Sequence, residues 1–337
     1  MLSRRELLIV GLSSTGLIAA AGRAAGEENA WQSWKDRYLD GSGRIVDPEQ
    51  QVSHSEGQAY GLLLAQSFGD LDAFARIEAW TSATLANRDD AFMGWRFSPR
   101  SGVIDGDTAT DGDLLRAWAL LRAVRDSGWW DFAGRAEPIA RAIAARCLAP
   151  DPRAPGERLL LPRADAPAGH RITINPSYIV SAALRELGDA FDLPDLVRAA
   201  DHGETVLSEL AARGAIPDWI DVTPDGFADP ADHAVRSGYD ALRVPLYLCW
   251  SGRRDHPAVR VMADVLGRAP TDGHVAVVTG PGGTVVSESD AAGYRAIHAL
   301  SSCDPLPGSG AQRFYYPATL WLLAQVAERE GAECARS

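Results

Sequence analysis

Apolar positions in this chain recur mostly with helical spacing, and runs that alternate apolar with polar residues are few. Leu114, Leu115, Trp118 and Leu121 fall near the helical period, and Leu320, Leu323, Ala324 and Val326 lean to one side in the same way. The pattern predicts helices over about 31–39, 55–68, 70–87, 111–126, 131–147, 176–189, 192–213, 240–251, 256–269, 288–301 and 317–330. Ala, Leu, Arg and Glu, all good helix formers, dominate these segments. Val275 to Thr279 and Thr284 to Val286 flank Gly280-Pro281-Gly282-Gly283, which reads as a hairpin. Nothing alternates strand with helix as a doubly wound sheet would.

A chain of helices joined by short loops folds as a solenoid or as a closed double ring. A solenoid repeats its sequence at a fixed period, and no such repeat is present. The expected fold is therefore all-α, a toroid of helical hairpins with a small β-hairpin insertion. The 337 residues are 46% hydrophobic and 23% charged, enough for a large buried core. No Pro/Gly/Ser linker splits the chain, so residues 26–337 are read as one domain despite a length that allows two.

Residues 1–25 read differently. Arg4 and Arg5 precede the short apolar stretch Leu7 to Ala21, and small residues follow at Ala24 and Ala25. That is the layout of an export signal, with a periplasmic or secreted destination. The apolar run is too short for a permanent membrane span, so no membrane association is expected after its removal. Ser3-Arg4-Arg5-Glu6-Leu7-Leu8 resembles a twin-arginine signal, with an ordinary export signal as the alternative. The segment carries Arg4, Arg5 and Arg23 against Glu6, so its loss makes a chain already at −12 two charges more negative. Such a chain repels phosphate backbones, which argues against nucleic acid as a partner and says nothing against a neutral polymer.

The four cysteines, Cys147, Cys249, Cys303 and Cys334, form no C-x-x-C pair. Disulfides are open to them after export, in three full pairings, although Cys249 lies in the apolar run Val244 to Trp250 and reads as a buried thiol. Asp105-x-Asp107 suggests calcium, but Ala109 and Thr110 stand where an EF-hand loop needs a ligand and a glycine. Gly280-Pro281-Gly282-Gly283 lacks the Gly-Lys-Ser/Thr of a phosphate loop, and there is no H-E-x-x-H or G-x-S-x-G. No metal and no cofactor are expected.

Three helix starts share one design: Ser53-His54-Ser55-Glu56, Thr110-Asp111-Gly112-Asp113 and Ser237-Gly238-Tyr239-Asp240. Each has the Ser/Thr-x-x-Asp/Glu form of a capping box, so the carboxylates have a structural reading as helix caps. Their surroundings favour chemistry. Gly57 and Gly61 follow Glu56 in the first turns of a helix, where glycine costs about 1 kcal/mol against alanine. They imply close approach of a neighbouring helix or a ligand. Asp111 lies in an acidic run from Asp105 to Asp113, and Arg243 stands one turn after Asp240. His54 reads equally as a cap or as a polar contact in a groove. Trp95, Tyr178, Trp219, Tyr315 and Tyr316 could line such a groove. Carboxylates with aromatic platforms suit sugar cleavage, since aromatic faces cover pyranose rings while the acids move protons.

His54-Ser55-Glu56-Gly57-Gln58-Ala59-Tyr60-Gly61 resembles the signature of glycoside hydrolase family 8. So do Ala109-Thr110-Asp111-Gly112-Asp113, Asn175-Pro176-Ser177-Tyr178, Pro217-Asp218-Trp219 and Tyr239-Asp240-Ala241-Leu242-Arg243. The likeness runs from about residue 31 to about 330, five motifs in order. Within the family it is most similar to periplasmic members encoded with bacterial cellulose synthase, a likeness that Gly43-Arg44-Ile45-Val46-Asp47 extends. The resemblance implies an (α/α)6 barrel, an inverting mechanism and β-1,4-glucan as substrate. It makes Glu56 the general acid, whose carboxyl must stay protonated near the working pH against the pull of a helix N-terminus. It makes Asp240 the general base and Asp111 the carboxylate that holds the sugar at the cleavage point. Asp229 and Asp232 remain alternatives to Asp240, because some branches of the family use another base. Tyr239 and Arg243 would position the base or the sugar, and Trp95, Tyr178, Trp219 and Tyr315 would line the groove. Cellulose chains, and the cellulose synthase machinery, are the partners implied, for a chain expected to act as a monomer. Rival readings are a non-catalytic glucan-binding protein of that machinery, or a chitosanase, xylanase, licheninase or polysaccharide lyase on the same toroid.

Overall fold

The computed structural model describes residues 26–310 and 313–334. The export signal expected over residues 1–25 lies outside the described residues. Eleven α-helices run through the rest: α1 (26–38), α2 (Ser55–Ser67), α3 (Leu71–Thr84), α4 (Thr110–Arg125), α5 (Ala136–Arg146), α6 (Ser181–Phe191), α7 (Pro194–Ala211), α8 (Arg243–Trp250), α9 (Pro257–Leu266), α10 (Ala292–Ser302) and α11 (Tyr315–Glu330). Each matches one expected segment, with boundaries that shift where local chemistry intervenes. The segment expected from residue 131 begins as an α-helix only at Ala136, because Trp130–Phe132 forms a 3-10 turn and Gly134 follows with φ +78°. Pro176–Tyr178 is likewise a separate 3-10 turn ahead of α6.

Helices consecutive in the chain pack as hairpins: α2 on α3, α4 on α5, α6 on α7, α8 on α9 and α10 on α11. A second set of contacts joins α2 to α4, α4 to α6, α6 to α8, α8 to α11 and α11 back to α2. Those contacts run through five inner helices and return to α2, and the described residues form the expected all-α toroid of helical hairpins, of the (α/α)6 class. Burial follows the layers. In α2, residues 57–66 are buried without a break, and α8 is buried from end to end. A helix apolar all round is one enclosed by others. In α9 the buried positions are Ala258, Val259, Met262, Val265 and Leu266, one stripe of an outer helix. Arg116 of α4 and Glu78 of α3 form a buried ion pair at 2.7 Å.

The expected hairpin is present, β9 (Val275–Thr279) antiparallel to β10 (Val285–Ser289). Three more small sheets join it. They are β1 (Ser53–His54) with β2 (Arg96–Ser98) and β3 (Gly102–Asp105), β4 (Leu148–Asp151) with β5 (Ala154–Leu160), and β6 (Ile172–Ile174) with β7 (Ile220–Thr223) and β8 (Gly226–Ala228). Residues of β1 and of the β9–β10 hairpin line the groove described below. β1 leads directly into α2, and the Ser55 N–H donates to the Trp95 carbonyl at 2.9 Å while the Trp95 N–H donates to that of Asp107 at 3.0 Å. Trp95 is thereby fixed between the start of α2 and the acidic run before α4. Cys303 and Cys334 are disulfide-bonded, and Cys147 and Cys249 are buried thiols, the latter as expected.

Candidate active site

Glu56 lies in the first turn of α2, Asp111 in the first turn of α4, and Asp240 in the turn that enters α8. All three reach one groove at the same end of the barrel. Of the three only Asp111 accepts a first-turn N–H, that of Gly112 at 2.8 Å. The positions before α2, α4 and α8 are His54, Ala109 and Leu242, and none makes a side-chain cap bond. Asp113, the acid of the second pattern, turns away and accepts from the Met93 N–H at 2.9 Å.

Arg243 joins the carboxylates. Its Nη1 is bonded to Glu56 and lies 3.9 Å from Asp111, while its Nη2 donates to Asp240 Oδ1 at 2.9 Å and to Ser177 Oγ at 2.7 Å. Because Glu56 and Asp240 use different nitrogens of one planar fork, their carboxyls stand within roughly 8 Å of each other. Asn175 donates to Asp240 Oδ2 at 3.2 Å and accepts from Ser177 at 2.7 Å, so Ser177 is held from both sides. Tyr60, one turn after Glu56 on the same helix face, donates to its Oε1 at 2.8 Å and shares a 2.7 Å bond with Tyr247.

Burial pushes the Asp111 carboxyl up to about 7, against the hydrogen bonds from Gly112 N–H and the Tyr178 hydroxyl. Asp240 is also pushed up to about 7, first by burial, then by the negative charges of Asp218 and Asp111. Two carboxyls that resist ionisation side by side mark a site built for proton chemistry. The turn bearing Asp240 is pinned from beneath. Asp218 is buried and accepts from the Gly238 N–H at 2.7 Å, the Ala241 N–H at 3.0 Å and Arg236 Nε at 2.9 Å. α8 therefore starts at Arg243, three residues later than the hydrophobic pattern predicts.

Two lobes meet at this centre. One, of about 540 Å³, is lined by Trp95, Asp111, Tyr178, Trp219 and His233. The other, of about 580 Å³, is lined by Tyr239, Tyr294, Phe314, Tyr315 and Tyr316. Gln50, His54, Glu56, Asp240 and Arg243 belong to both. His54 is neither a cap bond nor a surface residue: its ring stacks on Trp95 at 5.9 Å, and burial holds it below its usual pKa, hence neutral. Trp219 meets Tyr178 edge-on at 6.2 Å and stacks on His233 at 4.0 Å. Tyr239 is exposed in the second lobe, and Tyr316 donates to its carbonyl at 2.7 Å. Tyr315 touches the groove least. Its ring is buried against Trp34 and Tyr38, under Gly57.

The close approach that the glycines of α2 imply is made by protein. A Cβ on Gly57 would lie 2.7 Å from the Tyr315 hydroxyl, and one on Gly61 would strike Ile45. The acidic run divides, with Asp111 in the groove, Asp113 behind it, and Asp107 exposed at the rim of the same lobe. Asp229 and Asp232 lie on the exposed segment before Asp240, and neither makes a bond to Arg243. Among the described residues no three His, Cys, Asp or Glu side chains converge as metal ligands. Sequence reasoning gave no roles to Tyr60, Tyr247, Asn175, Ser177 or Asp218. The spacing of four between Glu56 and Tyr60, and between Arg243 and Tyr247, was the legible signal for two of them.

A helical toroid that opens a long cleft, with clustered carboxylates at its centre and aromatic rings along both arms, defines a polysaccharide-cleaving hydrolase. The profile of the Glycosyl hydrolases family 8 matches residues 7–328, and the chain belongs to that family. It is 31% identical over 341 residues to a probable endoglucanase of Novacetimonas hansenii, covering 95% of each chain. It is also 31% identical over 232 residues to an endoglucanase of Cellulomonas uda, where the match spans 66% of this chain and 63% of that one. The crystal structure of endoglucanase Cel10 of Klebsiella pneumoniae superposes with a TM-score of 0.81 at 26% identity, covering 90% of this chain and 99% of that one.

Proposed function

We propose that this protein is an inverting endo-β-1,4-glucanase that cuts internal bonds of cellulose. The observation that carries the reading is the cluster of Glu56, Asp111 and Asp240 around Arg243, midway along a cleft that continues on both sides. A cleft with arms on both sides accepts the middle of a chain. The endoglucanases to which the chain is similar support the substrate.

In the mechanism, Glu56 gives up its bond to Arg243 as substrate enters, takes a proton from solvent, and passes it to the glycosidic oxygen as the C1–O bond breaks. Asp240 takes a proton from a water, whose oxygen bonds to C1 from the opposite face. Asp111 holds the sugar at the cleavage point, with Tyr178 on its carboxyl. One water is consumed, and the new reducing end has the inverted configuration. Trp95 and Trp219 cover sugar faces on one arm, and Tyr239 on the other. Tyr315 acts from below, by fixing α11 against the first turn of α2.

Residues 1–25 direct export, residues 26–337 act as one catalytic domain, and the protein works as a monomer outside the cytoplasm, trimming glucan beside the cellulose synthase machinery. The Cys303–Cys334 disulfide supports an oxidising compartment. Reducing-end release from carboxymethylcellulose, compared with Glu56→Gln, tests the activity. The variant should lose about 10²–10⁴-fold, the usual contribution of a general acid. A wild type inert on this polymer and on chitosan, xylan and mixed-linkage glucan would leave a glucan-binding role in its place.

A further inference from the structure

Beside Trp219 lies a third cavity of about 490 Å³, which shares only that tryptophan with the catalytic lobes. Its lining is unusual for so acidic a chain. Arg213, Arg236 and Arg268 face it, with Asp229 as the single acid. Arg236 is bonded to Asp218 through Nε, and its two terminal nitrogens make no bond among those described. Arg213 lies 5.9 Å from the Phe227 ring and pairs with no carboxylate among the described residues. Arg268 rests against Gly283 of the Gly280–Gly283 turn, where a Cβ would come within 2.6 Å of its Nη1. Arg213 and Arg268 make no ion pair among the described residues, and Arg236 makes one, to Asp218, in a molecule of formal charge −12. The far arm, by contrast, is lined by Asp47, Glu49 and Glu288.

We propose that this cavity is a distal subsite that takes sugars carrying an anionic group, a carboxylate or a phosphate ester, on the glucan held at the catalytic centre. Trp219 borders both this cavity and the sugar path, so the two adjoin at one side chain. Guanidinium groups recognise carboxylate and phosphate oxygens through paired N–H donors. The opposite charge of the two arms would fix the direction in which an anionic glucan lies. The subsite rests on the glucanase reading of the catalytic centre, and extends it to the class of substrate.

The test compares kcat/KM on carboxymethylcellulose with kcat/KM on neutral hydroxyethylcellulose, for wild type and for the surface double variant Arg213→Ala/Arg268→Glu. The anionic-to-neutral ratio should fall by about 3–10-fold in the variant, the scale of two partly exposed charge contacts. A ratio unmoved by the variant, with both proteins active and equally heat-stable, would overturn the subsite. Inactivity of wild type on both polymers would instead strike the glucanase reading on which the subsite depends.

Discussion

Arg243 sets the geometry of the centre, because one guanidinium bonds Glu56, Asp240 and Ser177. Arg243→Lys keeps the charge but loses the fork, so kcat should fall by at least about 10-fold, with the fold intact by circular dichroism. The raised carboxyls carry two further expectations. Asp240 must be ionised to act as a base, so activity should be lost as pH falls through about 7. Asp218 is one of the charges that push it up, and Asp218→Asn should therefore move that limb to lower pH while also lowering kcat, since the turn loses part of its anchor. A pH–rate profile of the two proteins reads both effects. Asp111 has a folded value, about 7, above its ordinary one, so its ionised form destabilises the fold from about pH 4 upward and fully above about 7. Asp111→Asn should raise stability at pH 8 by on the order of 1–3 kcal/mol, seen as a higher Tm, and the gain should vanish near pH 4. Glu56, Asp111, Asp240 and Arg243 were all legible in the sequence because short motifs carry them. Asp218 too lies in a short motif, but its role was not legible, since its partners, Gly238 and Ala241, are reached only through the fold.

At the level of elements, the centre depends on how closely α2 and α4 approach. A Cβ on Gly112 would lie 2.4 Å from Ser55 Oγ and 2.9 Å from the Glu56 nitrogen. Gly112→Ala must push the first turns of the two helices apart. It should cost about 1–3 kcal/mol in stability and displace Glu56, so kcat should drop more than the loss of folded protein explains. Denaturant unfolding beside kcat would separate the two. The helices were readable because each writes its period within its own residues. The strands were not. β6 has three residues and pairs with β7, whose residues lie more than forty positions later. Such pieces owe their extended form to partners and carry little local signal. The start of α10 moved for the same reason, as residues up to Ser289 are taken by β10.

Across the whole molecule, the inner ring supplies rigidity and the loop sheets supply the cleft. The Cys303–Cys334 bond ties the end of α10 to the chain beyond α11, and neither cysteine lines the catalytic lobes. Closing a loop of 31 residues of separation should contribute about 3–4 kcal/mol. Cys303→Ser/Cys334→Ser should lower Tm, yet leave kcat at 25 °C near the wild-type value. The layered toroid followed from a helix-rich pattern without repeats, while the order in which its inner helices meet, and the cavity beside Trp219, arise only from packing. The claim that unites these scales is that Glu56 and Asp240 act from opposite faces of the sugar with a water between them. It is tested most directly by proton NMR of the reducing ends first released from a soluble β-1,4-glucan oligosaccharide, before mutarotation. The α-anomer should appear first, and initial release of the β-anomer would contradict the assignment.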